Sequence, residues 1–246
     1  MQKKIMLEDI VGLDKQKAQI HDFIFLPLIQ KELYQQLVKS PEKLKIRKNF
    51  LLYGPPGTAK TSLVQALAQT YEVPFTLVQS TQFLNQYVGA GAETMRKIYS
   101  NYTGIIFIDE IDLIAQKQKN NSSQKSDDLL IQLLMLLDGV ATNYEISTIT
   151  ATNKPEVLDE RFLSRIPQKN RLFFPLPDEE QRKKIFEKKL TYVSHNIENL
   201  DNIIPLTKNY HGRQIEDLIV EACNIALKDK RTHLTSNDLH LALEEN

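Results

Sequence analysis

Tryptophan is absent, cysteine occurs once, and 31 basic residues balance 31 acidic ones over 246 positions. A lone cysteine excludes an intramolecular disulfide and points to a reducing compartment, the cytoplasm by default. Charge balance argues against wholesale nucleic-acid binding. No apolar run approaches membrane length; the nearest, Leu129 to Leu137, is short and interrupted by Gln132, so no transmembrane segment is expected. No signal peptide is visible, while membrane association through segments outside this sequence stays open. The five histidines show no metal-ligand spacing and no His-Glu-x-x-His run occurs, which excludes a zinc protease here. What remains is an ordinary globular composition, 41% hydrophobic and 25% charged, with length for one large domain or two small ones.

The informative segments are two. Gly54-Pro55-Pro56-Gly57-Thr58-Ala59-Lys60-Thr61 follows the apolar run Phe50-Leu51-Leu52-Tyr53 and precedes a helical pattern beginning at Ser62. Strand, glycine-containing loop and helix, in that order, make a phosphate cradle: backbone N–H groups and the helix dipole face the negative charge. Lys60 is placed to reach the β- and γ-phosphates and the Thr61 hydroxyl to hold Mg²⁺. Ile105-Ile106-Phe107-Ile108-Asp109-Glu110 reads as a buried parallel strand ending in two carboxylates. Open α/β sheets bind ligands at the carboxyl ends of their strands. Asp109 is therefore the second candidate metal contact, and Glu110 the group that polarises the attacking water. The two segments together imply ATP hydrolysis with Mg²⁺. Ala59 stands where glycine is usual before the lysine; its methyl crowds the phosphates or costs little according to the sign of φ. A modest loss of nucleotide affinity is the most that is expected.

Residues 1–175 alternate strand-like runs with helical patterns, the signature of a doubly wound parallel-sheet α/β domain. Strands are expected over 49–53, 74–78, 104–108, 146–151 and 171–176, and helices over 15–28, 60–71, 92–102 and 127–137. Pro175 and Pro177 mark a boundary. Residues 176–246 then read as a small all-helical lid domain, with helices over 178–192 and 213–228. A third starts at Thr235-Ser236-Asn237-Asp238, where Asp replaces the more usual Glu of a capping box. Cys223, beside Ala222 and Ala226, reads as a small buried hydrophobe.

In these residues the chain resembles the AAA branch of the AAA+ ATPases, over nearly its whole length. Asp9-Ile10-Val11-Gly12 resembles the segment lining the family's adenine pocket. Asn153, in Ala151-Thr152-Asn153-Lys154-Pro155, resembles the sensor-1 residue that helps orient the attacking water. Leu158-Asp159-Glu160-Arg161-Phe162-Leu163-Ser164-Arg165 is similar to the region that supplies arginine fingers across subunit interfaces. There Arg165 is the candidate finger, with Arg161 the alternative, and Ser164 stands where an Arg is common. Tyr87-Val88-Gly89 resembles the aromatic pore loop of protein-threading members, whose flat ring grips extended polypeptide regardless of sequence. Gly212 and Arg213 open a region similar to sensor 2, where Arg213 either contacts nucleotide or simply begins an exposed helix. The resemblance implies a homo-oligomeric ring, a hexamer in the family, that hydrolyses ATP to remodel, unfold or translocate a protein substrate. A low-turnover, nucleotide-gated scaffold module is the alternative it leaves open.

Overall fold

The computed structural model describes residues 5–40, 48–84, 90–100, 102–117, 124–140 and 145–244. They fall into two compact bodies. The first is built from the described parts of Met1–Leu7, Asp14–Gly54 and Lys60–Phe174, the second from those of Glu8–Leu13, Pro55–Ala59 and Pro175–Asn246.

The first body is a parallel sheet of β1 (Asn49–Tyr53), β2 (Phe75–Gln79), β3 (Gly104–Asp109), β4 (Ile146–Thr152) and β5 (Arg171–Phe173), in the order β2-β3-β4-β1-β5. Strands covered on both faces must be apolar throughout, and every described position of β4 is buried, as are the first five of β3. The threonines of β4 are tolerated because their hydroxyls find partners: Thr148 meets the Tyr99 hydroxyl at 3.1 Å, and Thr150 donates to the Phe50 carbonyl at 2.9 Å. All five expected strands form, with small shifts at their ends. β5 stops at Phe173; Phe174 still donates its N–H to the Tyr53 carbonyl, but Pro175 has no N–H with which to continue.

Helices Ala90–Ser100 and Gln124–Val140 bury Met95, Tyr99, Leu130, Leu133 and Leu137 with Leu51, Ile106 and Ile108 of the sheet. Helix Lys60–Thr70 lies against β3 and buries Leu63, Val64 and Leu67. The single helix expected over 15–28 is instead broken. Asp14–Ile20 passes into a π-turn at His21–Phe25, where Leu26 donates to the His21 carbonyl, before Leu26–Ile29 and Lys31–Leu37. Pro27 lacks the N–H that a regular helix would give to the carbonyl four residues back, and a wider turn absorbs the mismatch.

The second body packs helices Glu179–Leu190, Gly212–Lys228 and Ser236–Glu244 around Phe186, Leu190, Ile203, Leu218, Ile219 and Leu239. Asp178 and Gln181 cap the first of these reciprocally. At the third, the expected Asp238 does the reaching back: its carboxylate accepts the Thr235 N–H at 2.8 Å and the Thr235 hydroxyl at 2.7 Å. Arg231 adds two bonds to the same carboxylate, at 2.7 and 2.5 Å. Those donors, Arg231 first, hold the buried Asp238 carboxyl far below the usual carboxylate range. Cys223 is half-buried against this core, and burial pushes its thiol up.

Candidate functional site

Three neighbouring strands of the first body deliver polar residues at their carboxyl ends. β1 runs into Gly54, β3 ends at Asp109 and is followed by Glu110, and β4 ends at Thr152 and is followed by Asn153. Gly54 must be glycine: at φ +143 an added Cβ would overlap the Phe174 carbonyl oxygen. Lys60, at the head of its helix and only 7% exposed, donates to the Gly54 carbonyl at 2.9 Å and to the Asn153 amide oxygen at 2.7 Å. Burial pulls its pKa down to about 8, with the Asp109 carboxylate opposing. An ammonium held this way gains from an incoming anion, which is the fit expected of a phosphate-binding lysine. Ser62 follows on the same helix, half-buried.

Thr61 donates its hydroxyl to Asp109 Oδ2 at 2.9 Å. A hydroxyl beside a carboxylate is a hard-oxygen pair of the kind Mg²⁺ accepts. Glu110 is exposed, and its backbone sits in the left-handed region at φ 53, ψ 44, donating its own N–H to Asp109 Oδ1 at 3.0 Å. Such strain in a glutamate costs about 1–3 kcal/mol and is characteristic of functional positions. A further bond, Thr152 to Asp112 at 2.6 Å, fixes the strand end that carries Asn153.

The remaining nucleotide-binding candidates lie in the second body. Thr58 closes the loop by donating to the Pro55 carbonyl at 2.9 Å, with Pro56 exposed beside it. Gly57 takes φ +70, and a Cβ there would overlap the His211 ring. Ala59 takes φ +64, so the sign left open by the sequence is the unfavourable one for alanine. Ile10 is buried, Val11 half-buried, and a Cβ on Gly12 would stand 3.1 Å from Gln181 Nε2. Asp9, just ahead of them, accepts a 2.6 Å bond from the Tyr192 hydroxyl and lies 3.3 Å from Lys188 Nζ. A Cβ on Gly212 would come within 3.8 Å of the Gly57 carbonyl, and Arg213 is exposed on the first turn of its helix.

Both arginines of the finger region are engaged within the chain. Arg161 forks onto Asp159 at 3.0 and 2.9 Å. Arg165 pairs with Asp138 at 2.8 Å and donates to the Leu134 and Arg161 carbonyls. Tyr87, Val88 and Gly89 lie outside the described residues.

Sequence reasoning passed over His211, Gln181 and Tyr192. His211 had a local signal: a His-x-x-Gln spacing ahead of an apolar helical run is a capping box, and both its bonds form. Tyr192 had none, because its partner Asp9 is 183 positions away.

A family model described as "ATPase family associated with various cellular activities (AAA)" matches residues 50–174. The chain is similar to the 26S proteasome regulatory subunit 6B homolog of Saccharomyces cerevisiae, at 34% identity over 95% of this chain and 56% of that protein. It is similar to the 26S proteasome regulatory subunit 4 homolog of Encephalitozoon cuniculi, at 34% over 96% of the chain and 57% of the relative. The proteasome-activating nucleotidase of Saccharolobus solfataricus is 33% identical over 98% of this chain and 62% of its own length. The chain thus spans between about half and two thirds of these relatives. Among the described residues no helix is long and apolar enough to cross a membrane. The chain belongs to the AAA family of ATPases, which takes ATP with Mg²⁺ as its substrate and metal.

Proposed function

We propose that this chain hydrolyses ATP within a homo-oligomeric ring, a hexamer, and uses the cycle to unfold or translocate a protein substrate. In this reading residues 1–175 are the ATPase domain and 176–246 the helical lid. The observation that carries it is the pre-assembled set at the strand ends: Lys60 held by Asn153, and Thr61 held by Asp109, with Glu110 alongside. Lys60 would take the phosphates together with the amides of residues 57–62, while Thr61 and Asp109 would hold Mg²⁺. The metal's part is to neutralise phosphate charge, and Glu110 accepts the proton of the attacking water. Asn153 orients that water. Ile10, Val11, Gly12, Gly212 and Arg213 line the nucleoside end.

A ring is supported by the relatives' names, which are those of proteasome subunits and a proteasome-activating nucleotidase. The exposed apolar side chains of Leu26, Ile29, Leu33 and Leu37 support it too, since a neighbouring copy would cover them. Tyr87, Val88 and Gly89 grip the substrate chain, and Arg165 completes the neighbour's site. Neutral net charge disfavours nucleic acid as the substrate. The setting is a reducing one, the cytoplasm first. One observation favours the second reading, a scaffold with little turnover: Arg165 would have to leave Asp138 to act on a neighbour.

Phosphate release across a protein dilution series separates the two, rising with concentration for the motor and absent throughout for the scaffold. Glu110→Gln should bind Mg-ATP, lower turnover by at least about a hundredfold and sediment as an assembly with ATP. Tyr87→Ala should keep basal ATPase and lose substrate unfolding; retained unfolding would remove the threading part of the proposal.

A further inference from the structure

We infer that His211 is a positioning residue for the phosphate loop, its imidazole holding Gly57 in the nucleotide-ready geometry before any nucleotide arrives. The inference rests on the reading of residues 55–62 as the phosphate-binding segment.

Gly57 at φ +70 and Ala59 at φ +64 are both left-handed, and the Thr58 hydroxyl donates to the Pro55 carbonyl. A short loop with two such residues populates many conformations, and fixing each residue costs about 1–2 kcal/mol. The His211 ring occupies the space a Gly57 Cβ would need, so ring and Gly57 Cα are in direct contact. The next residue, Gly212, also carries no side chain, and its missing Cβ would lie 3.8 Å from the Gly57 carbonyl. Two glycines therefore let two backbones approach with one imidazole between them.

The ring cannot drift. His211 Nδ1 accepts the Gln214 N–H at 3.2 Å, and Gln214 Oε1 accepts the His211 N–H at 3.1 Å. That pair caps a seventeen-residue helix whose Ile215, Leu218, Ile219 and Ala222 are buried in the second body's core. The cap and the contact are separable functions of one side chain: the cap needs an acceptor, the contact needs a flat ring. A residue that only preorganises the loop acts on ground-state and transition-state binding alike. Its loss falls on Kd and KM for nucleotide rather than on kcat.

Two substitutions divide the functions in the full chain. His211→Asn keeps the best class of N-cap acceptor and removes the ring. It should hold the thermal midpoint within about 2 °C while raising Kd for both Mg-ATP and Mg-ADP about tenfold, the effect of releasing one backbone residue. Amide exchange at residues 57–59 should quicken in its nucleotide-free form, with exchange along 213–228 unchanged. His211→Phe keeps the ring and removes the acceptor; it should lower the midpoint by a few degrees and leave both Kd values within about threefold. Wild-type affinity in His211→Asn, or equal affinity loss in the two variants, overturns the inference. Wild-type protein that binds neither nucleotide refutes the site reading itself, and the Lys60→Ala variant marks what that null looks like.

Discussion

Replacing Ala59 by glycine should stabilise this protein, although it removes a methyl group from a half-buried position. The reason is backbone strain. Ala59 sits at φ +64, where an L-residue brings its Cβ against the following carbonyl at about 1–2 kcal/mol. Glycine removes that clash and adds back about 0.5–1 kcal/mol of chain entropy on unfolding. The difference is a net gain of about 0.5–1 kcal/mol, or a rise of about 1–4 °C in midpoint for a chain of this size. Calorimetry of the nucleotide-free protein measures it directly. Ala59→Val provides the opposite arm: a β-branched residue in the left-handed region is worse than alanine, and its midpoint should fall. Nucleotide affinity should change by no more than a few-fold, because the strain is present with and without nucleotide unless the loop turns over on binding. A midpoint that falls for Ala59→Gly, with Ala59→Val unaffected, would show that residue 59 sits at negative φ and that the strain argument is wrong.

Proton linkage follows from Lys60. Its pKa near 8 must rise when phosphates arrive, so above pH 8 ATP binding should take up a proton and weaken by up to about tenfold per pH unit; calorimetry at pH 9 in buffers of different ionisation heat reads the uptake, and buffer-independent heats refute it. Stability has its own window. Burial, with Lys31 adding to it, lowers Lys48 to about 8 as well, whereas an unfolded lysine keeps its proton to near 10.5. The unfolded chain thus binds more protons between those values and stability rises with pH there, a slope that Lys48→Met should reduce. In the second body, Asp238→Asn should destabilise by about 2–4 kcal/mol by leaving Arg231 and the Thr235 amide without their carboxylate. Because the Asp238 carboxyl is depressed, its contribution is present above the ordinary carboxylate pKa and is lost only as pH falls well below it. A wild-type midpoint that already drops from pH 6 to pH 4 by the amount the substitution costs would contradict that assignment.

The sheet was legible because its evidence is local. Phe50-Leu51-Leu52-Tyr53 and Ile105-Ile106-Phe107-Ile108 are apolar without alternation, which only a strand covered on both faces explains in so few residues. The same holds for Lys60, Thr61 and Asp109, whose chemistry is written in their types and flanks. Pro27 was visible too, but its consequence was not: a proline near a helix end is compatible with a stop, a kink or a π-turn. The sign of φ at Ala59 could not be read, since alanine has no preference that announces the left-handed region. Arg165 shows the larger gap. Its pairing with Asp138 joins positions 27 apart that no periodicity connects, so the arginine expected to act on a neighbour also has a partner in its own chain.

Three contacts bear on how this site works. Asn153, Asp109 and His211 each hold a side chain or loop that nucleotide would have to use: Asn153 holds Lys60, Asp109 holds Thr61, and His211 holds Gly57. The Lys60 bond would be exchanged for one to phosphate, whereas the Thr61–Asp109 bond and the Gly57 contact can persist. Exchange of a neutral acceptor for an anion adds direct charge–charge attraction to the lysine bond, so Lys60 gains on binding and Asn153 is released to meet a water. The Thr61 hydroxyl spends its one proton on Asp109 and keeps its lone pairs, so the two would hold a cation together without breaking that bond. Lys60 then favours the anion, and the Thr61–Asp109 pair would supply oxygens for the cation. Asp109→Asn therefore should not mimic the Lys60→Ala loss: it should leave nucleotide binding without Mg²⁺ largely intact and abolish the extra affinity that Mg²⁺ adds.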